Sequence, residues 1–431
     1  MNNFITLKNI TSKIGSGATP RGGSQVYQEQ GISFIRSQNV QDMHFSKSGL
    51  VFLNAEQAEQ LKGVTVKPSD VLLNITGDSI ARSCLVPDEV LPARVNQHVS
   101  IIRCKNSKDA EFVAYYLQFL KPHLLQICKV GGTRNALTKD AIENLKVNFL
   151  TDRHSRGGLL ALIDKKIELN NRINAELEAM AKTLYDYWFV QFDFPDANGK
   201  PYKSSGGKMV YNSTLKREIP EGWEVNTLSS WIESDKTGDW GKEEQEGNYN
   251  LQVDCVRGAD INGLNGNGKI AAPNRFILKK NDHKLLAPFD LVIEISGGSP
   301  TQSTGRMAYI TDDVLGRFTH PLICSNFCKA ISLRNKDLFY CFAYLWKDLY
   351  GNGVLFGWEG KTSGIKNLLF DSFVTKYQVP VPPLSLAKQF FDFVAPLEQQ
   401  KQTLLKENAR LESLRDWLLP MLMNGQVTVN D

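Results

Sequence analysis

Residues 68–79 read PSDVLLNITGDS, and residues 288–299 read PFDLVIEISGGS. Each segment is a short run rich in β-branched and apolar residues, which is typical of a strand, and each ends in a polar loop that contains glycine. Two such similar segments, roughly 220–230 residues apart, indicate an internal duplication.

Further segments match at about the same separation. They are Thr6-Leu7 with Thr227-Leu228, IRSQNV (35–40) with VRGADI (256–261), and GTRNAL (132–137) with GIKNLL (364–369). A helix is also predicted in each half, around Ala110–Leu120 and around Leu338–Tyr350. The same elements in the same order predict two copies of one domain.

A long helix is predicted behind each copy, because apolar residues recur there at heptad spacing. The first seam consists of Ile163, Ile167, Leu177, Ala181, Leu184 and Trp188, with Asn170 and Asn174 as polar members. The second consists of Phe393, Leu397, Leu404, Leu411, Leu414 and Leu418, with Gln400 and Glu407 as polar members. Two matched seams predict that the helices pair with each other, and a helix of about 30 residues is roughly 45 Å long.

This order predicts an α+β fold in which two similar globular domains are separated by two long antiparallel coiled-coil helices. The predicted segments are 1–151 (first domain), 152–215 (long helix plus linker), 216–384 (second domain) and 385–431 (second long helix). The linker at 196–208 is rich in Gly, Ser, Pro and Lys, as surface connections are.

The composition is that of a folded protein with more than one domain: 431 residues, of which 42% are hydrophobic, with a formal net charge of +4. Residues 1–150 contain 17 Lys and Arg against 12 Asp and Glu, and this local excess is compatible with a surface that faces phosphates. Seven scattered cysteines favour a reducing compartment. No run approaches the roughly 18–20 apolar residues of a membrane span and no leader pattern is present, so we expect a cytoplasmic protein without a membrane partner.

A nuclease metal site is suggested by the spacing of Asp290 and Glu294 but is incomplete. The lysine expected in such a site is replaced by Ser296. The corresponding residues of the first copy are Asp70, Asn74 and Thr76. A role at the edge of a strand is therefore favoured over catalysis.

Other catalytic and metal motifs are also incomplete. The GKT at 360–362 has Leu355 where a phosphate-binding loop needs glycine, and the base-holding motif of a methyltransferase is absent from the sequence. His320, Cys324 and Cys328 lack a fourth zinc ligand. We therefore expect a chain with no catalytic residues, no metal site and no bound cofactor.

Several segments resemble type I restriction-modification specificity subunits. The central segments LYDYWFVQFDFPDANGKPYKSSGGKMV (184–210) and LKREIPEGWEV (215–225) resemble the central conserved region of that family. TLKNITSKIGSGATPRGG (6–23), NQHVSIIR (96–103), VPVPPL (379–384) and LRDWLLPMLMNGQV (414–427) resemble its other conserved segments. The first long helix departs from the family pattern, because NFLTDRH (148–154) replaces the usual proline-rich start.

The resemblance implies a non-catalytic subunit that binds double-stranded DNA, with each target-recognition domain reading one half of a split target. It also implies a scaffold for two adenine methyltransferase subunits and for restriction subunits, which would bind S-adenosylmethionine, ATP and Mg²⁺. Two alternatives stay open: the recognition half of a fused restriction-methylation enzyme, and a structural protein that oligomerises through its helices.

Two groups of loop residues are candidates for DNA binding, since Arg, Asn and Gln contact base edges and Lys and Ser more often contact phosphates. One group recurs in both halves: Arg36, Gln38 and Asn39 with Arg257 and Asp260, Thr76 and Ser79 with Ser296 and Ser299, and Arg134 and Asn135 with Lys366 and Asn367. The other differs between the halves, as base-reading residues should: Arg21, Arg82, Arg94, Gln302, Arg306 and Lys361.

Overall fold

The structure is a computed structural model that describes residues 4–129, 136–266, 268–299, 301–362 and 365–429. The chain forms two compact units. Unit 1 consists of residues 1–167 and 410–431, and unit 2 consists of residues 168–409.

Unit 1 begins with ten strands and five short helices. The strands are β1 (Phe4–Thr6), β2 (Thr11–Ser16), β3 (Ile32–Ile35), β4 (Val51–Leu53), β5 (Thr65–Val66), β6 (Val71–Asn74), β7 (Ser83–Leu85), β8 (Ala93–Val95), β9 (Val99–Cys104) and β10 (Lys146–Asn148). The helices are α1 (Leu7–Ile10), α2 (Ala55–Gln60), α3 (Ala110–Phe119), α4 (Lys121–Cys128) and α5 (Lys139–Glu143). The first long helix, α6 (Arg153–Tyr185), follows them and continues into unit 2.

Two four-stranded sheets form the centre of unit 1. One has the strand order β2-β9-β6-β7 and the other has the order β4-β3-β8-β5, in which β3 and β8 are parallel. Val71 and Leu73 of β6 belong to a hydrophobic cluster with Phe112 of α3, whereas Leu72 belongs to a cluster with Ile35 of the second sheet. Because successive side chains of a strand point to opposite faces, β6 is buried on both sides and its sequence is almost entirely apolar.

Unit 2 contains the remaining fourteen described strands and five helices. The strands are β11 (Met209–Asn212), β12 (Arg217–Pro220), β13 (Glu224–Thr227), β14 (Ile232–Thr237), β15 (Tyr249–Val256), β16 (Asn274–Leu278), β17 (Asp290–Glu294), β18 (Ser296–Gly297), β19 (Met307–Tyr309), β20 (Leu322–Cys324), β21 (Cys328–Leu333), β22 (Glu359–Thr362), β23 (Ile365–Leu368) and β24 (Gln378–Val381). The helices are α7 (Ile261–Asn265), α8 (Asp312–Leu315), α9 (Phe339–Gly351), α10 (Phe370–Lys376) and the second long helix α11 (Leu384–Asn424), whose last residues belong to unit 1.

Unit 2 repeats the sheet topology of unit 1. The order β14-β21-β17-β19 corresponds to β2-β9-β6-β7, and parallel β15 and β20 correspond to parallel β3 and β8. Leu291 and Ile293 of β17 join the cluster of α9, whereas Val292 joins the second-sheet cluster with Val256. The predicted duplication and the α+β class are therefore confirmed.

Both copies enter the central strand through the same turn, which a buried aspartate holds. Asp70 and Asp290 each accept a hydrogen bond of 2.8 Å from the backbone N–H three residues earlier. Arg103 on β9 donates two bonds of 2.7 Å to Asp70, and Lys236 on β14 lies 2.6 Å from Asp290. The recurrence of this aspartate at 70 and 290 therefore has a structural cause.

The long helices pair antiparallel in each unit. In unit 1 Arg156 donates to the Leu422 carbonyl, and Arg415 donates to Asp164 over 2.8 Å. In unit 2 Asn170 donates to Asn408 over 2.8 Å. The face of α6 that bears the predicted seam is the buried one: Ile163, Ile167, Asn170, Asn174, Leu177 and Ala181 are buried, and Leu184 and Trp188 are half-buried.

The seam predicted for α11 is wrong by one position. Phe393 and Leu414 are 47% and 43% exposed, and Leu397, Leu404, Leu411 and Leu418 lie half-buried at the edge of the pairing face. The buried face includes Phe390, Val394, Glu398, Lys401, Leu405 and Asn408, each one position after a predicted seam residue or in line with that row. Three of these six residues are polar and have partners inside the protein. A prediction that follows apolar residues at heptad spacing therefore chooses the neighbouring face of the helix.

None of the helices within the described ranges combines the length and apolar character that a membrane span requires.

Candidate nucleic-acid interface

Four loops of unit 1 meet at the ends of β2, β3, β6 and β8. Asn74 at the end of β6 donates to the Ser37 carbonyl over 2.9 Å, and the Ile75 N–H donates to the His98 carbonyl over 3.0 Å. The Ala18 N–H donates to the Val95 carbonyl over 3.1 Å. We call the four loops, residues 17–24, 36–49, 75–82 and 96–98, loop edge 1.

The corresponding loops of unit 2 meet in the same way. The Ile295 N–H donates to the Phe327 carbonyl over 2.9 Å, and the Asp239 N–H donates to the Cys324 carbonyl over 2.9 Å. We call residues 238–248, 257–266, 295–299, 301–306 and 325–327 loop edge 2. Binding loops on a rigid β scaffold are a common design for recognition surfaces.

A glycine allows the loops to approach each other closely in both copies. A Cβ atom on Gly17 would lie 2.0 Å from the Val95 carbonyl oxygen, and one on Gly238 would lie 2.0 Å from the Ser325 carbonyl oxygen. Both clashes are with backbone atoms, so neither could be relieved by moving a side chain. These two positions therefore require glycine for packing.

Several residues predicted to bind DNA instead hold the loops of unit 1 together. Asn39 is buried, accepts from the Arg36 N–H at 3.0 Å and donates to the Ser46 carbonyl at 2.9 Å. Arg94 is buried and donates to the carbonyls of Ala58 and Ala93. Their polar groups are satisfied inside the domain, so both residues have a structural role in the loops, and contact of Asn39 and Arg94 with DNA stays a prediction.

Three predicted residues of unit 2 are likewise bonded within their own domain. Asp260 is buried and accepts two bonds from the Arg257 side chain, at 2.9 and 3.1 Å. Arg306 donates to both carboxylate oxygens of Glu294, at 2.8 and 2.6 Å, and this hydrogen bonding raises the pKa of Arg306. In both bidentate pairs the arginine side chain is bonded to a carboxylate of its own domain.

Arg82 and Arg306 were predicted as residues that differ between the halves, but they occupy equivalent positions. The Asn74 N–H donates to the Arg82 carbonyl over 2.8 Å, and the Glu294 N–H donates to the Arg306 carbonyl over 2.8 Å. The Arg82 side chain donates to Gln41 over 2.7 Å. Each arginine therefore closes the loop that follows the central strand of its unit.

The other predicted residues of unit 1 lie at or near loop edge 1. Arg21 and Gln38 are exposed, and Ser79 is half-buried. The Arg36 side chain donates to the Gly49 carbonyl over 2.6 Å, and Thr76 Oγ1 lies 2.5 Å from His98 Nδ1. Arg134 and Asn135 lie outside the described residues.

In unit 2 the remaining predicted residues cluster around β18 and β23. Ser296 Oγ donates to Asn367 Oδ1 over 2.5 Å, and the Gln302 N–H donates to Ser299 Oγ over 3.1 Å. Lys366 Nζ is 3.0 Å from the Glu359 carboxylate, so its charge is largely compensated. The backbone of Lys361 belongs to β22, and its side chain lies outside the described residues.

Four residues that the sequence did not predict lie at the turns between β8 and β9 and between β20 and β21. Gln97, Asn326 and Phe327 are exposed, and His98 is half-buried. The residue types gave no signal, because the correspondence of NQHVSIIR (96–103) with SNFCKAIS (325–332) is seen only in the structure. The match is weak in residue identity, whereas the backbone hydrogen bonds of the two turns are the same.

The part of the chain that the structure describes contains no group of three or more His, Cys, Asp and Glu side chains arranged to hold a metal ion. The cysteines are all buried, and burial raises the pKa of the Cys84 thiol to about 12.

Known proteins resemble this chain in sequence. Residues 3–179 match the sequence profile described as "Type I restriction modification DNA specificity domain". The chain is 24% identical over 349 residues to the type I restriction enzyme MjaIX specificity subunit of Methanocaldococcus jannaschii, covering 79% of this chain and 74% of that protein. It is 40% identical over 66 residues to the HindI specificity subunit of Haemophilus influenzae, covering 15% of this chain and 14% of that protein.

A solved structure shares the fold. The S subunit of a type I restriction-modification system from M. genitalium superposes with a TM-score of 0.58 at 15% identity, covering 97% of this chain and 95% of that chain. With the duplicated domains and the paired long helices, these matches show that the chain is similar over most of its length to type I restriction-modification specificity subunits and that residues 3–179 match their DNA specificity domain.

Proposed function

We propose that this chain is the DNA-reading subunit of a type I restriction-modification complex and that each unit reads one half of a two-part target. The observation that carries the proposal is that loop edge 1 and loop edge 2 share several backbone hydrogen bonds but carry different side chains. Equivalent positions carry His98 and Phe327, and Thr76 and Ser296.

Two readers with one scaffold and different side chains suit a target made of two unlike specific parts. Backbone contacts to phosphates would fix each domain on the duplex, and the differing side chains would select bases. A chain with one recognition surface would instead read one continuous site. The duplication thus favours a bipartite target over a single one.

The long helices are suited to bind partner subunits. Leu162, Leu169, Ile173 and Met180 recur along α6 at intervals of seven and four residues, and Tyr187 follows seven residues later in the helical turn after α6, so they lie on one face. Four of them are exposed and Ile173 is half-buried. Because an exposed apolar stripe on a soluble helix is typical of a protein-binding surface, we assign it to the methyltransferase subunits.

Catalysis is assigned to the partners. The methyltransferase subunits would bind S-adenosylmethionine, and the restriction subunits would bind ATP and Mg²⁺. We expect the purified chain, assayed alone with methyl donor, ATP and Mg²⁺, neither to methylate nor to cleave DNA, and adding the partner subunits to restore both activities. Turnover that persists after rigorous removal of the partners would contradict this assignment.

Exchanging residues 1–148 for the equivalent domain of another specificity subunit tests the bipartite target. We expect methylome sequencing to show a new half-site on one side of the target and an unchanged half-site on the other, because each unit has its own core and its own loop edge. The reciprocal exchange of 224–381 should change the opposite half. A chimaera that assembles and methylates with both halves altered would show that the units do not read independently.

A further inference from the structure

We propose that Phe327 reads the C5-methyl group of a thymine in the half-site bound by unit 2. This inference rests on the proposed function and adds to it the chemical group that one loop recognises. It concerns a residue that the sequence analysis did not single out.

Phe327 and His98 occupy the same position in the two copies. The Ser325 N–H donates to the Val256 carbonyl over 2.8 Å, as the Asn96 N–H donates to the Ile35 carbonyl over 2.9 Å. The carbonyls of Phe327 and His98 accept from the first residue after the central strand in each unit, at 2.9 and 3.0 Å. The backbone of the turn is therefore conserved between the copies while its outward side chain changes.

The side chain of Phe327 is 53% exposed, although the residues beside it are polar or small. The Ser296 N–H donates to the Phe327 carbonyl over 3.1 Å, and Ser296 Oγ donates to Asn367. The ring is thus exposed at a polar loop edge, where the neighbouring Ser296 already has hydrogen-bond partners within the protein. An exposed aromatic ring at this place adds apolar contact area to a surface otherwise suited to polar recognition.

The chemistry of the ring determines what it can select. Phenylalanine neither donates nor accepts conventional hydrogen bonds, so it cannot read the donor and acceptor pattern of a base pair. The apolar group displayed in the major groove is the C5-methyl of thymine, and contact with an apolar side chain is the usual way to read it. His98, whose Nδ1 is 2.5 Å from Thr76 Oγ1, presents a polar ring at the same position, so unit 1 would select by hydrogen bonding.

The test uses the full-length chain assembled with its methyltransferase subunits and the target found by methylome sequencing. Each thymine of the half-site assigned to unit 2 is replaced in turn by deoxyuridine, which lacks only the methyl group. We expect one replacement to weaken binding about fourfold, because that is the factor by which the burial of one methyl group strengthens binding. Phe327→Ala should bind the thymine and deoxyuridine duplexes equally, and Phe327→Leu should keep part of the preference.

Deoxyuridine in the half-site of unit 1 is the matched control, and its effect should not depend on residue 327. A unit 2 half-site that contains no thymine on either strand would overturn the inference. So would sequence-specific binding that is insensitive to every deoxyuridine, and in that case the proposed function would stand. A complex that shows no preference for its target over other DNA would overturn the proposed function as well.

Discussion

Replacing Lys401 with alanine is expected to lower the free energy of unfolding of unit 2 by about 3–5 kcal/mol, the usual cost of leaving a buried charge without its partner. Lys401 on α11 and Glu398 one turn earlier are each 1% exposed, and their charged atoms are 3.2 Å apart. Without the ammonium group, Glu398 would keep one hydrogen bond, from Tyr344 at 3.0 Å, but no cation.

The same lysine links three helices of unit 2. Its Nζ lies 3.1 Å from Glu178 on α6, and Lys347 on α9 lies 2.8 Å from the other oxygen of that carboxylate. Because α9 packs on the sheet that carries loop edge 2, this network holds the reading domain on the paired helices. The Lys401→Ala variant should therefore lose DNA-target discrimination at a lower temperature than the native chain does.

The network also makes the stability of unit 2 depend on pH. Burial raises the pKa of Glu178, but Lys347 and Lys401 outweigh it and bring the pKa from its ordinary 4.5 to about 2. Since the folded pKa is lower than the unfolded one, this stabilisation is complete above about pH 4.5 and is lost as the pH falls toward 2. The Glu178 side chain is 41% exposed, so solvent and salt weaken the effect.

Chemical unfolding at several pH values measures both the loss of stability in Lys401→Ala and the dependence of stability on pH. Lys406→Ala, at an exposed lysine on the same helix, is the matched control and should change stability by no more than about 0.5 kcal/mol. The double variant Glu398→Gln, Lys401→Met should recover most of the loss, because it leaves no unpaired charge at these two positions. A Lys401→Ala chain as stable as the control would show that the network contributes nothing.

The sequence predicts the parts of this fold that depend on apolar periodicity. The centres of β6 and β17, Val71–Leu73 and Leu291–Ile293, are continuous apolar runs because both of their faces are covered, so their repetition could be recognised directly. The face of α11 could not, because Glu398, Lys401 and Asn408 are buried by finding partners on other elements. A heptad pattern contains no information on such distant partners.

The loop edges also contain features that the sequence alone does not predict. Residues that recur in both copies, such as Arg36 with Arg257, proved to stabilise turns, because recurrence marks what the common scaffold needs. His98 and Phe327 share a backbone position but no side-chain chemistry, so a comparison of residue types could not align them. Only the matched hydrogen bonds of the turns show that they are equivalent.

Replacing Arg306 with methionine is expected to disturb the reading of one half-site more than the other. Glu294 is 3% exposed and accepts hydrogen bonds from Nε and Nη2 of Arg306. The Glu294 N–H also donates to the Arg306 carbonyl, and the Gly305 N–H donates to the Glu294 carbonyl over 2.9 Å. The pair therefore fixes both ends of the loop that lies between β17 and β19 in loop edge 2.

Without Arg306, Glu294 stays buried with no cation, which should cost about 3–5 kcal/mol and release the loop. We expect the preference for the true target over single-base variants in the unit 2 half-site to fall at least about tenfold, the equivalent of about 1.4 kcal/mol. Preferences within the unit 1 half-site should stay unchanged, because loop edge 1 has its own anchor. Competition binding with duplexes that carry one altered base pair measures both sets of preferences.

Arg82→Met is the matched variant in unit 1. Its partner Gln41 is neutral, so the loss of this bond should cost only about 1 kcal/mol and should affect the opposite half-site. Adding Glu294→Gln to Arg306→Met should restore stability, since the buried carboxylate is removed, but it should not restore the bidentate anchor or the lost discrimination. If the single arginine variants each weaken both half-sites equally, the two arginines do not hold separate reading loops.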